Sequence, residues 1–539
     1  MKTSSTVLLR KLKEQLGKSG KETQTQIEQL LLQLSKKELA LNKTLLPYHE
    51  AVLFISAYPA SHQQKRMAEK ELSRITSYLR NTPDKVLLSL ANTGLPFTPM
   101  VSTYSHECSS WLEIHPQCTI ELIGQSDYSL NDILIHTLPT LERSNTTADF
   151  NNQEILGVLG VKKHQQLHFY LNQFNSLNNQ PTVKDYFFDK LGLEIRIKPK
   201  NKLFSRTYNR IPVSSIYYQQ DWKKDFDILG LLNSSLPNQK SITHQETDKV
   251  IMAVKNTMTL NDRETDPVTY LDPGSLRIYE LERGISVTLY GIVPARQLPM
   301  ESYVGFTLFK NGLPTAYGGS WIFGERANFG INIFEAFRGG ESGYVMCQLL
   351  RVYRMTFGIS YFEIEPYQFG LDNPEGITSG AFWFYYKYGF RPVDKPLHKL
   401  ASQERKKIKD KKSYKTSKST LIRFTDSNMA LNLGKTIPLS LPTITQKITK
   451  MIQKQFSGDR GLSVTVSTEI LKGQTIFDHP LNKEQQQVFL ELALVSNALE
   501  ITSPESHKLL ALMTRTKSMD LYEYQRYLLM FLNNETARK

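Results

Sequence analysis

Cysteine is scarce in this sequence, since the 539 residues include just three, Cys108, Cys118 and Cys347. Three thiols are too few for a disulfide framework, which excludes a small disulfide-stapled domain and favours reduced thiols. Long apolar runs are also lacking, and none is long enough to span a bilayer. Charges interrupt the apolar residues of 1–15, which argues against a secretory signal there. We therefore expect a cytoplasmic protein without a membrane span.

Acidic residues are fewer than basic ones, which leaves a formal net charge of +14. Part of this excess is local, because residues 404–418 contain eight basic and two acidic side chains. So few of their residues are apolar that we predict a solvated basic linker over 396–424. A basic linker can contact nucleic acid or an anionic membrane. The sequence favours a linker without a dedicated partner, so nucleic acid is possible but not favoured.

The length of the chain suggests roughly three domains. Apolar residues recur at helical spacing within 24–46 and 153–174, and helical patterns return near the end of the chain. Between these parts, aromatic and β-branched residues are punctuated by glycines. The predicted organisation is a mainly helical region with room for two subdomains (1–266), a mixed region (267–395), the basic linker (396–424) and a mainly helical region (425–539).

The mixed region reads as alternating strands and helices. Two strand-like runs, YVGFTLFK and TAYGGSWIF, flank Asn311-Gly312, a pair that strongly indicates a β-hairpin. NFGINIFE follows as a strand, then a glycine turn, a probable buried helix over 344–353, and the strand ISYFEIE. Strand, turn, helix and strand in this order predict a mixed α/β fold with a central sheet flanked by mainly helical domains.

The glycine turn lies in FRGGESGYVMCQLLRVYR, residues 337–354. The first turn of a helix leaves backbone N–H groups unpaired, and Gly339, Gly340 and Gly343 allow a ligand to approach them closely. A diphosphate would fit there, held by amides and by the helix dipole. A glycine turn after a strand is a weak signal by itself, and a tight connection is the alternative.

A second stretch, AFWFYYKYGFRP at 381–392, adds to this motif. Over residues 275–392 the two stretches together resemble the GCN5-related N-acetyltransferase family. The matching residues are Arg338, Gly339 and Gly343 in the turn, and Ala381, Tyr385, Gly389 and Phe390 downstream, with Phe384 and Lys387 at common family identities.

The resemblance implies an acetyltransferase-like sheet that binds acetyl-coenzyme A or another acyl-coenzyme A without a metal. It implies a pyrophosphate contact to the turn, at Arg338, Gly339, Gly340, Ser342 and Gly343. It also implies that Tyr385, with Tyr386 as the neighbouring alternative, donates a proton to the departing thiolate.

Two residues depart from the family pattern. Glu341 stands where the turn usually has a glycine, and Asn373 lies farther upstream of Ala381 than the family's asparagine. A carboxylate about 4 Å from a phosphate charge costs about 1–4 kcal/mol, less if it turns to solvent or pairs with Arg338. Glu341 could instead interact favourably with the helix N-terminus. The sequence leaves the role of Asn373 open.

Acyl transfer to an amine also needs a base, because a lysine amine has a pKa near 10.4. Glu335, which adjoins the turn, is the first candidate. Glu363 and Glu365 on the next strand are alternatives, and strand alternation would place them on one face. Strand ends are often charged, so the residue pattern by itself favours a structural or surface carboxylate at each of these positions.

The sequence thus predicts an acyl-coenzyme A-dependent N-acyltransferase that acts on a small-molecule or protein amine by direct attack. The alternatives are an interaction protein, in which a degenerate core carries helical flanks that bind a protein partner, and a transferase that uses an aminoacyl-tRNA. Glu341 separates the first two.

One further cluster, HECSSWLEIHPQC, contains His106, Cys108, His115 and Cys118. Their spacing matches no common structural zinc pattern. We predict buried cysteines and hydrogen-bonded histidines there, and no metal.

Overall fold

The computed structural model describes residues 4–41, 44–146 and 149–537. The chain divides into two compact units. The first comprises Met1–Asp221, Ile242–Tyr270 and Lys310–Pro314, and the second comprises Trp222–Ser241, Leu271–Phe309 and Thr315–Lys539. Both helices and strands are present, which confirms the prediction of a mixed α/β chain.

The first unit is rich in helices. They are α1 (Ser5–Gln15), α2 (Lys21–Ser35), α3 (Leu45–Ala57), α4 (His62–Arg80), α5 (Asp84–Leu87), α6 (His106–Glu113), α7 (Asn131–Thr137), α8 (Asn152–Val158), α9 (Gln166–Phe174), α10 (Pro181–Lys190), α12 (His244–Thr259) and α13 (Asp266–Thr269). The helical spacing over 24–46 falls on two helices, α2 and α3, and that over 153–174 on α8 and α9.

A three-stranded antiparallel sheet also lies in the first unit, and the sequence analysis missed it. Its strands are β1 (Met100–Thr103), β2 (Cys118–Gly124) and β3 (Glu194–Pro199), in the order β1-β3-β2. In β3, Ile195 and Ile197 are fully buried while Glu194 and Lys198 are exposed. This alternation is the local signal of a half-buried strand. It was present in the sequence, but the partner strands lie far away along the chain.

His49 in α3 should make the stability of the first unit depend on pH. Its Nε2 lies 2.7 Å from the Thr207 hydroxyl. Burial, together with the nearby Arg206 charge, lowers the pKa of His49 to about 3. The unfolded chain binds this proton below its ordinary pKa of about 6.5, so stability falls by about 1.4 kcal/mol per pH unit below that value.

We expect the free energy of unfolding to fall by about 2 kcal/mol between about pH 6.5 and about pH 5 because of this one histidine. Urea unfolding at a series of pH values measures the fall. The fall in the free energy of unfolding should be smaller by that amount in His49→Gln. It should be unchanged in His62→Gln, the control at an exposed histidine. An unchanged pH dependence in His49→Gln would contradict the assignment.

The second unit contains an eight-stranded sheet with the order β10-β11-β9-β8-β7-β6-β5-β4. The strands are β4 (Arg277–Glu280), β5 (Ile285–Tyr290), β6 (Ser302–Lys310), β7 (Leu313–Phe323), β8 (Arg326–Ile333), β9 (Tyr361–Ile364), β10 (Arg391–Pro392) and β11 (Met429–Asn432). The helices are α11 (Ile228–Asn233), α14 (Ser342–Phe357), α15 (Pro374–Ser379), α16 (Ala381–Lys387), α17 (Lys395–Asp410), α18 (Lys418–Phe424), α19 (Leu441–Phe456), α20 (Arg460–Lys472), α21 (Lys483–Ala498), α22 (Pro504–Thr516) and α23 (Leu521–Ala537).

The predicted order of hairpin, strand, glycine turn, helix and strand is confirmed. Asn311 and Gly312 both have positive φ, at 47° and 82°, as the turn between β6 and β7 requires. Helix α14 follows β8 and is buried nearly all round, as the mainly apolar sequence of 344–353 predicts. It packs into a core with the residues of β5 to β9 that face it.

Strands β8 and β9 form a parallel pair over three residues. Arg326, Ala327 and Asn328 pair with Tyr361, Phe362 and Glu363. Strand β9 ends at Ile364, whereas β8 continues through Ile333 and remains paired with β7. The carboxyl-terminal part of β8 therefore extends beyond β9, and the glycine turn follows it.

The segment predicted as a basic linker is largely helical instead. Asp394 caps α17 by accepting the Leu397 N–H at 2.9 Å. Leu397, Ala401 and Glu404 are buried, with spacings of four and three residues that place them on one face of the helix. The many exposed lysines masked this short buried stripe in the sequence.

Beyond the basic segment, β11 pairs with β9, so the region after residue 425 adds a strand to the sheet as well as helices. Helices α21 and α23 confirm the predicted helical patterns near the end of the chain. The Ser503 hydroxyl accepts the Ser506 N–H and caps α22. Across the described ranges, no helix combines the length and apolar content needed to cross a membrane.

Candidate anion-binding turn

The turn between β8 and α14 presents unpaired backbone donors. Gly339 and Gly340 have φ of +97° and +58°, a region that favours glycine. The Ser342 hydroxyl and N–H both donate to the Gly339 carbonyl, at 2.8 and 3.2 Å, and so close the turn. Within the described residues, no acceptor pairs with the N–H groups of Gly339, Gly340, Gly343 or Tyr344. Such a group of helix-terminal donors suits an anion.

Glu341 is buried and paired in this turn. Its Oε2 accepts from Arg283, with Nη2 at 2.9 Å and Nε at 3.0 Å, and the Lys223 N–H lies 3.4 Å away. The partner of this carboxylate is therefore Arg283, and not Arg338 as the sequence suggested. Arg338 is half-exposed and pairs with Glu375. Because Arg283 neutralises Glu341, the like-charge cost expected from the sequence is largely offset.

Two aromatic rings cover the turn. A Cβ added at Gly340 would lie 2.6 Å from Trp222 Cζ3, and one added at Gly343 would lie 1.7 Å from the Tyr388 hydroxyl oxygen. These rings explain why both positions need glycine. A Cβ at Gly339 would meet nothing within 4 Å, so the turn is open at that residue.

Tyr385 is buried in the core of the second unit. Its ring meets Phe384 and Phe390 edge to face, with centroids 5.4 and 5.8 Å away. Its hydroxyl makes no hydrogen bond within the described residues, and burial raises its pKa, so it keeps its proton at neutral pH. Tyr386 instead lies under the Arg391 guanidinium, 3.8 Å from the ring centroid. The hydroxyl that lies against the turn belongs to Tyr388, which the sequence analysis did not single out.

The three candidate bases have different surroundings. Glu363 accepts from Arg326 at 2.6 Å, and Glu365 accepts from the Asn328 side chain at 2.6 Å. Glu335 is exposed in a short 3-10 turn after β8. In the part of the chain that the structure describes, its carboxylate has no hydrogen-bond or ion-pair partner. Of the three, Glu335 is therefore the carboxylate that remains available for proton transfer.

Asn373 has a local structural role. Its side-chain oxygen accepts the Gly376 N–H at 3.3 Å and caps α15. Its amide donates to the Tyr367 carbonyl at 2.9 Å. The position of this asparagine in the sequence is therefore accounted for by helix capping.

Two glycines lie opposite each other on strands β7 and β8. Gly319 on β7 pairs directly with Gly330 on β8. A Cβ at Gly330 would lie 3.2 Å from the Gln368 side-chain nitrogen, and one at Gly319 would lie 2.8 Å from the Tyr303 ring. The glycines thus let Gln368 and Tyr303 approach the sheet backbone. The sequence analysis singled out neither side chain.

His106, His115 and Cys118 lie in the first unit, where the two histidines contact other polar groups. Across the described residues, no group of three or more histidine, cysteine or acidic side chains could hold a metal ion. The Nε2 atoms of His106 and His115 lie 2.9 Å from the Leu171 carbonyl and 3.0 Å from Asn256 Oδ1. Burial raises the pKa of Cys118 to about 12, which disfavours the thiolate that binds metals.

Comparison with known proteins gives no relative: no family model, no curated protein and no solved structure matches this chain.

Proposed function

We propose that this chain is an acyl-coenzyme A-dependent N-acyltransferase acting on a small-molecule or protein amine. One observation carries the proposal: among the described residues, N–H groups at the first turn of α14 are unpaired, and this turn follows the strand that extends beyond its parallel partner β9. The strand order, with the parallel pair β8 and β9 between the antiparallel neighbours β7 and β11, supports it. So does the neutralisation of Glu341 by Arg283, since a phosphate then meets no uncompensated carboxylate.

The residues of the turn fit a diphosphate. Gly339, Gly340, Gly343 and Tyr344 offer donors, and the open side at Gly339 admits the ligand. Acyl-coenzyme A, when bound, supplies the activated acyl group. Arg338 sits beside the donors and would exchange its exposed pair with Glu375 for a phosphate.

Two side chains would handle protons. Glu335 takes the proton that the amine must lose, directly or through water, because its carboxylate is exposed and has no partner in the described residues. Tyr385 holds a proton in apolar surroundings with its hydroxyl uncommitted, and so can donate it to a leaving thiolate. Much of the rate enhancement in such a direct transfer comes from positioning.

Calorimetry with acetyl-coenzyme A tests the proposal, using Gly339→Asp and Gly339→Asn. Both variants carry the same strain at a φ of +97° and nearly the same volume, and they differ by one charge. A carboxylate about 4 Å from a phosphate costs about 1–4 kcal/mol, so we expect the Asp variant to bind at least about fivefold more weakly than the Asn variant.

Two outcomes would overturn the proposal. One is an absence of binding to the wild type at millimolar acetyl-coenzyme A. The other is equal affinity in the Asp and Asn variants, which would place any bound nucleotide away from the turn. Thermal unfolding of both variants, compared with the wild type, checks that the turn is still folded.

A second candidate function is a non-catalytic interaction protein with an acetyltransferase-like core. The rings of Trp222 and Tyr388 over the turn favour it, because they occupy space beside the amide donors. If acetyl-coenzyme A binds neither the wild type nor Trp222→Ala, in which one ring is removed, this second function is the better account.

A further inference from the structure

Residues 395–423, here called the basic hairpin, concentrate the positive charge of the chain. They comprise α17, a connecting segment and α18. They contain eleven lysines and arginines against two acidic residues, Glu404 and Asp410, so their net charge is 11 − 2 = +9 of the total of +14. A stretch of 29 residues thus carries most of the charge excess of a 539-residue chain.

Ten of these eleven cations have no carboxylate partner among the residues that the structure describes. Lys407 pairs with Glu404 at 2.8 Å. Within the described ranges, none of the other lysines and arginines of the basic hairpin forms an ion pair, and all of them are exposed. The one fully exposed acidic side chain of the hairpin is Asp410. The charge is therefore uncompensated at the surface.

The basic hairpin is fastened in place. Glu404 is buried and accepts the Tyr414 hydroxyl at 2.8 and 3.0 Å, which ties α17 to the connecting segment. The Trp383 indole N–H donates to the Thr416 hydroxyl at 3.1 Å and ties that segment to α16. The cations thus stand on ordered elements, unlike those of a flexible linker.

We propose that the basic hairpin binds the phosphate backbone of RNA without reading its sequence. Uncompensated lysines on a helix are complementary to a polyanion, and release of counterions drives such binding. A membrane surface fits less well, because a membrane-bound helix also needs an apolar face to insert. On α17 the apolar residues Leu397, Leu400 and Ala401 pack against the core instead.

Two quadruple variants of the full chain test this proposal. The first is Arg405→Gln, Lys406→Gln, Lys409→Gln and Lys412→Gln. The matched control removes four exposed lysines of the first unit, as Lys11→Gln, Lys13→Gln, Lys18→Gln and Lys21→Gln. Both lose the same net charge. Fluorescence anisotropy with a labelled uridine oligonucleotide of about 20 residues measures affinity across a salt series.

We expect the wild type and the control to bind with steep salt dependence. If all four side chains contact phosphates, their loss lowers the slope of log affinity against log salt by about 3, at about 0.7 per single-strand contact. Over a fourfold rise in salt, the wild type would then lose roughly 50-fold more of its affinity than the hairpin variant.

Equal affinity of the hairpin variant and the control for the oligonucleotide would overturn the proposal. An affinity that does not change with salt concentration would overturn it as well. The same holds if vesicles containing phosphatidylserine bind through these four residues while the oligonucleotide does not. Thermal unfolding of both variants shows whether a loss of binding reflects a loss of fold, and a hairpin variant that unfolds early is replaced by its two constituent double variants.

Discussion

Replacing Glu341 by alanine is expected to destabilise the second unit by about 3–5 kcal/mol, because the substitution leaves a buried guanidinium without its carboxylate. The Arg283 side chain is 9% exposed and that of Glu341 is fully buried. Arg283 also holds a left-handed backbone conformation, with φ of 63°, which the pair helps to maintain. Urea unfolding followed by tryptophan fluorescence measures the change, since three of the four tryptophans lie in this unit.

Glu335→Ala is the matched control, since it removes a carboxylate six positions earlier that is exposed. Its effect on stability should stay within about 0.5 kcal/mol. The double variant Glu341→Met with Arg283→Met should be more stable than Glu341→Ala, because it removes both members of the buried ion pair together. If Glu341→Ala unfolds at the same urea concentration as the wild type, Glu341 is not the partner that Arg283 requires.

The ion pair with Arg283 changes the interpretation of Glu341. In the sequence analysis, this residue distinguished an active acyltransferase from a core that no longer binds its cofactor. In the structure, its carboxylate accepts hydrogen bonds from Arg283 and from the Lys223 N–H, so it holds these two residues against the turn. A Glu341→Gly variant would therefore change the stability of the protein as well as its affinity for coenzyme A. For this reason the added negative charge is placed at Gly339, where the turn is open.

Local signals accounted for much of the second unit. The Asn311-Gly312 turn is predictable because few residues accept positive φ at two successive positions. The buried helix α14 is predictable because apolar residues occupy nearly all positions of 344–353. The open donors at Gly343 and Tyr344 are predictable as well, since the first turn of a helix leaves N–H groups unpaired.

Long-range partners could not be read from the sequence. Nothing in the local pattern around the turn indicates that Trp222, Arg283 and Tyr388 meet there, because pairing over such distances is decided by tertiary packing. The prediction of a solvated linker over 396–424 was wrong for a different reason. Its exposed lysines dominate the composition, while three buried positions, Leu397, Ala401 and Glu404, fix α17 against the core.

Substituting alanine for Gly343 is expected to destabilise the second unit by about 3 kcal/mol through overpacking. The new Cβ would lie 1.7 Å from the Tyr388 hydroxyl oxygen and 1.9 Å from Cζ, so the ring must move. That ring has little room to do so, because it is stacked on Phe226 with centroids 6.1 Å apart and packs against Phe384. Urea unfolding by the same fluorescence signal measures the loss.

Gly461→Ala in α20 is the control, since the nearest atom to its added Cβ is Asp459 Oδ1 at 3.5 Å and its φ is not left-handed. Replacing a helical glycine by alanine should raise the free energy of unfolding by up to about 1 kcal/mol. Combining Gly343→Ala with Tyr388→Leu should cost less than the sum of the two single changes, because the smaller side chain frees the space. Additive costs would mean that Tyr388 does not cover the turn, and the amide donors would then be open to a ligand on that side as well as at Gly339.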